Sequence, residues 1–132
     1  MIAVDTNILV RLLVADDEAQ ATRAKQLLAG AQRVLVTKTV VLELVWVLSA
    51  VYETPRADLL RALETLAGLR EVELEDRPAV EQAIALYARG LDDFADALHL
   101  CSSGSAESFA TFDRKLLAKA RKLGGPVGVR TP

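Results

Sequence analysis

IAVDTNILVRLLV, residues 2–14, sets out the architecture of this chain in miniature. Ile2, Ala3 and Val4 make a short apolar strand, Asp5 interrupts it, and from Asn7 the apolar positions recur at helical spacing through NILVRLLV. A strand that leads through an acid into a helix is the opening of a βαβ unit, and the same alternation continues to the end. Residues 34–36, 72–74, 108–111 and 127–129 read as further strands; 18–28, 40–52, 57–69, 79–88, 94–101 and 114–123 carry helical periodicity or helix-favouring composition. Such alternation predicts an α/β fold built on a parallel sheet of about four or five strands flanked by about seven helices. Thr54 before Pro55 and Asp76 before Arg77-Pro78 look like helix starts, while Gly90 and Gly124 stand where helices should stop.

With 132 residues the chain has the usual size of one domain, and 1–132 is read as such. A net charge of −2 and a pI near 5.4 exclude a broadly basic nucleic-acid-binding surface, though not a local basic rim beside an acidic site. The one cysteine, Cys101 in ALHLC, has no partner for an internal disulfide and reads as a small buried hydrophobe in a reduced, cytoplasmic protein. The N-terminus is a poor signal peptide, and the longest charge-free apolar stretch, 44–52, falls well short of the roughly 20 residues of a membrane helix. A hydrophobic content of 52% is high for a small monomer and points to a doubly covered sheet, a protein interface, or both.

Four acids carry the chemistry: Asp5 in IAVDTN, Glu43 in VVLELVWVL, Asp96 in DDFADALHL and Asp113 in FATFDRKL. Their apolar neighbours predict burial, and several converging buried carboxylates are best compensated by a hard divalent cation. Asp5 and Asp113 each follow a strand, which places them at the carboxyl edge of a parallel sheet, where sites of open α/β folds lie. Each acid also has a plainer explanation. Asp5 and Asp113 would cap the helices that follow them, as would Asp92 or Asp93, whereas Asp96 falls inside its helix and Glu43 sits in a segment with almost no polar face. His99, three residues after Asp96, reads as a hydrogen-bonded structural residue, and a lone histidine excludes a two-histidine acid–base mechanism.

DTN directly after a first strand, the ELVWVL helix, DFADALHL and then TFDRKL resemble, in that order, the PIN-domain nucleases, and most closely the VapC-type toxins of bacterial toxin–antitoxin pairs. The resemblance runs from Ile2 to about Val129. It implies a three-layer PIN-like fold in which Asp5, Glu43, Asp96 and Asp113 form the catalytic, metal-holding quartet. Asp93 matches a frequent additional acid, and Thr6, Asn7 and Thr111 match supporting polar residues. One or two Mg²⁺ or Mn²⁺ ions would then activate a water to cleave RNA, leaving 5′-phosphate and 3′-hydroxyl ends. Arg11, Lys38, Arg114 and Lys115, near the motif edges, are candidates for binding the substrate phosphate.

The resemblance further implies a homodimer and a VapB-type antitoxin whose tail occupies an apolar groove and reaches the acids. The segment 40–52, apolar nearly all round and including Trp46, predicts a helix that is deeply buried or shared with another subunit. A housekeeping RNA-processing PIN nuclease without an antitoxin is the alternative, followed by a catalytically inactive binding module. A phosphorelay receiver needs an acidic pair at the first strand, and a haloacid-dehalogenase-like phosphatase needs an acid where Asn7 stands. Neither G-x-G-x-x-G nor a P-loop occurs, so nucleotide binding by those motifs is excluded.

Overall fold

A computed structural model describes residues 1–14 and 16–132. Among these residues seven helices and five strands follow one another in the expected order, and they divide between two compact units, Met1–Asp76 and Arg77–Pro132.

The first unit runs β1 (Ile2–Ala3), α1 (Thr6–Leu13), α2 (Glu18–Gly30), β2 (Val34–Val36), α3 (Lys38–Ala50), α4 (Arg56–Gly68) and β3 (Val72–Leu74). Its strands form a parallel sheet in the order β1-β2-β3, with Ile2 opposite Val34 and Val34 opposite Val72. Parallel neighbours need crossovers, and each is made by a helix pair. Val34 and Val36 of the middle strand are buried, as are Leu9 and Val10 of α1, Val41, Leu44 and Leu48 of α3, and Leu59, Leu63 and Leu66 of α4. The three-and-four spacing in α3 and α4 is the apolar stripe of an amphipathic helix. Asp5, Asp17 and Thr37 cap α1, α2 and α3 through their side chains. The Thr37 cap starts α3 two residues before the periodic run at Val40. Pro55, rather than Thr54, occupies the N-cap position of α4, and no side chain caps that helix.

The second unit comprises α5 (Arg77–Ala88), α6 (Phe94–Cys101), β4 (Phe109–Ala110), α7 (Arg114–Leu123) and β5 (Val129–Arg130). Helices α5 and α6 bury Val80, Ala83, Leu86, Tyr87, Phe94, Ala97, Leu98 and Leu100, with the Tyr87 and Phe94 rings edge to face at 5.8 Å. Strands β4 and β5 pair in parallel, Phe109 opposite Val129. The last strand begins two residues later than the apolar pattern suggested. Val127 is spent on packing, and pairing starts where the Phe109 N–H donates to the Gly128 carbonyl at 2.8 Å. The five parallel strands therefore form a three-stranded and a two-stranded ladder. Cys101 is buried and unpaired, and burial pushes its thiol up. Among the described residues no helix is long and apolar enough to cross a membrane.

Candidate active site

The acids are not buried as their apolar neighbours predicted: Asp5, Glu43 and Asp113 are exposed and Asp96 is half-buried. Sequence neighbours and spatial neighbours differ on a helix. In α3 only the stripe of Val41, Leu44 and Leu48 faces inward, so Glu43 stands with Trp46 and Ser49 on the exposed side.

In the first unit, Asp5 lies just beyond the carboxyl end of β1 and accepts the Ile8 N–H through Oδ1 at 3.3 Å. The next residue, Thr6, is only 4% exposed, and its hydroxyl donates to Glu43 Oε1. This bond joins the β1–α1 corner to α3. Asn7 is exposed and shares with Asp5, Ile8, Arg11, Gln20 and Arg23 a hollow of about 460 Å³ between α1 and α2. The Arg11 guanidinium is held within the protein: Nε donates to Gln20 at 2.6 Å, and Nη1 donates to Asp16 at 2.8 Å and to the Tyr52 hydroxyl at 3.4 Å. Lys38 Nζ pairs with Asp76 at 3.1 Å.

In the second unit, Asp93 caps α6 by accepting the Ala95 N–H through Oδ1 at 2.7 Å. Asp113, beyond the carboxyl end of β4, caps α7 by accepting the Lys115 and Leu116 N–H groups, also through Oδ1, at 3.0 and 3.1 Å. The Thr111 hydroxyl accepts the Asp113 N–H at 3.0 Å. Asp96, in the first turn of α6, lines a hollow of about 170 Å³ together with Asp92, Asp93, Asp113, Lys115 and Lys119. Arg114 is exposed and does not line it. Burial pushes the Asp96 carboxyl up, and the negative charges of Asp93 and Asp113 push it further, against a smaller lowering by His99. His99 is exposed, and its backbone carbonyl accepts the Ser103 hydroxyl.

Capping and cation binding, which compete as explanations in the sequence, are compatible here. In Asp5, Asp93 and Asp113 the cap uses Oδ1, which leaves Oδ2 outside the cap. Among the described residues no three His, Cys, Asp or Glu side chains are gathered closely enough to hold a metal ion as they stand. The donor chemistry nevertheless fits a hard divalent cation, because Asp92, Asp93, Asp96 and Asp113 line one hollow with carboxylate oxygens. Sequence reasoning missed Lys119 and Arg23, because a charged residue on a helix face gives no local sign of the hollow it lines.

A family model described as PIN domain matches residues 2–123. A VapC ribonuclease of Aquifex aeolicus (strain VF5) is 28% identical over 97 residues, covering 71% of this chain and 72% of that protein. No solved structure matches the chain significantly. With the family's match spanning both acid-bearing units, this chain belongs to the PIN domain family.

Proposed function

We propose that this protein is a Mg²⁺-dependent endoribonuclease and the toxin of a VapBC-type pair, acting as one domain over 1–132 in the cytoplasm. The observation that carries the reading is the hollow that Asp96 shares with Asp92, Asp93 and Asp113. Similarity to a VapC ribonuclease supports RNA as the substrate. Asp5, Glu43, Asp96 and Asp113 are the proposed metal ligands, with Mn²⁺ able to replace Mg²⁺. The bound ion would polarise the phosphodiester and acidify a water for attack, giving 5′-phosphate and 3′-hydroxyl ends. The chain's own residues prepare for this. Helix N-termini at α1, α6 and α7 hold Asp5, Asp93 and Asp113 by one oxygen each, and Thr6 orients Glu43.

Of the candidate phosphate-binding residues, Lys115 has the best support because it lines the acidic hollow, whereas Arg11 is engaged by Asp16, Gln20 and Tyr52. A homodimer and a VapB-type antitoxin are carried by the similarity. The exposed apolar side chains Trp46 and Phe112, at 65% and 87% exposure, support partner surfaces. The test is cleavage of total RNA by purified protein with Mg²⁺, with EDTA, and by the Asp5→Asn variant, with the product ends mapped. Metal-dependent 5′-phosphate products that vanish in the variant are expected. Unchanged cleavage by Asp5→Asn would remove that residue from the site.

A further inference from the structure

The acids of the second unit come from two elements: Asp93 and Asp96 from the start of α6, and Asp113 from the start of α7. A cation held by both sets needs the two elements at a fixed spacing. Lys119 on α7 lines the same hollow, and its Nζ donates to the Gly90 carbonyl at 3.2 Å and stands 3.9 Å from Asp92 Oδ1.

The turn that Lys119 grips is well defined. Gly90 has φ +121°, a conformation costly for any residue with a Cβ. The Gly90 N–H donates to the Tyr87 carbonyl at 3.1 Å, and the Leu91 N–H donates to the Leu86 carbonyl at 3.2 Å. These bonds close α5 in a Schellman turn. Leu91 is then buried, and Asp93 caps α6. Little slack separates the gripped carbonyl from the Asp93 and Asp96 carboxylates. We infer that Lys119 is a positioning residue of the cation site, acting through the 90–93 turn to set the spacing of Asp93 and Asp96 against Asp113.

Its charge alone points the other way. An ammonium among carboxylates repels an incoming cation, and its pair with Asp92, exposed on both sides, contributes little. Removing Lys119 for its charge would tighten cation binding; removing it for its position weakens binding. The two roles therefore differ in sign.

The inference rests on the metal-site reading above, and its test separates the two. Mn²⁺ binding is measured by titration calorimetry on Lys119→Met, Lys119→Arg and Asp96→Asn, each checked by circular dichroism. With 43% of its side chain exposed, Lys119 is replaceable without unfolding the protein. Lys119→Met is expected to bind Mn²⁺ about 10-fold more weakly, the scale of lost support behind a metal ligand. Lys119→Arg, which keeps a charged donor for the Gly90 carbonyl, should restore most of the affinity. Equal or tighter binding by Lys119→Met would overturn the inference, and a drop in melting temperature at unchanged affinity would reduce Lys119 to a purely structural tie. Undiminished binding by Asp96→Asn would instead overturn the metal-site reading itself. Loss in Asp96→Asn with full retention in Lys119→Met would sink the Lys119 inference alone.

Discussion

Asp113 carries two duties that one substitution confuses and two separate. Asp113→Ala removes both the double cap of α7 and a carboxylate of the hollow, so it should cost about 1 kcal/mol of stability as well as activity. Asparagine caps as well as aspartate, so Asp113→Asn should keep the melting temperature and still lose cleavage. Normal cleavage by Asp113→Asn would confine the residue to capping. Asp96 gives a pH-dependent counterpart. Its folded-state pKa is raised, so its contribution to stability is full below the ordinary Asp range and is lost as pH rises through the raised value. Metal-free Asp96→Asn should therefore melt higher than the parent at pH 7, with the gap closing in acid. A gap that widens toward acid would reverse the sign and refute the assigned cause.

Helix α3 shows why composition misjudges a face. Its residues 40–48 are all apolar but for Glu43, yet burial is confined to the stripe of Val41, Leu44 and Leu48, and Trp46 and the C-cap residue Val51 are exposed. A helix coloured apolar all round carries no period from which the inward stripe can be read. Trp46 is the single tryptophan, so its emission reports on this face alone. The isolated chain should emit at the long wavelengths of a hydrated indole, and dimerisation through α3 should shift the emission to the blue as concentration rises. Concentration-independent emission, with sedimentation showing a dimer, would move the interface elsewhere.

For the whole chain, the proposed cation binding has a thermodynamic consequence. Ligands that bind the folded state alone raise its stability by mass action. Calorimetry should show one unfolding transition in EDTA and one in Mg²⁺, at higher temperature with the ion, and the rise should be abolished by Asp5→Asn as well as by Asp96→Asn. Two separate transitions, with only one moved by Mg²⁺, would contradict the single domain.

The order and type of every element were legible in local sequence because strand runs, helical period, the caps Asp5, Asp93 and Asp113, and the stops at Gly90 and Gly124 are chemistry within a few residues of chain. The four acid motifs were legible for the same reason: Asp5 and Asp113 each follow a strand, Asp96 lies in the first turn of α6, and Glu43 interrupts the apolar run of α3. What required the tertiary structure was everything set by partners far along the chain. Thr6 meets Glu43, Arg11 is taken up by Tyr52, Lys119 reaches back to Gly90, and the Asp96 carboxyl is raised partly by Asp113. The exposure of the acids belongs to this second group. Sequence shows which residues precede and follow an acid, whereas solvation depends on which face of its helix turns inward, and packing alone decides that.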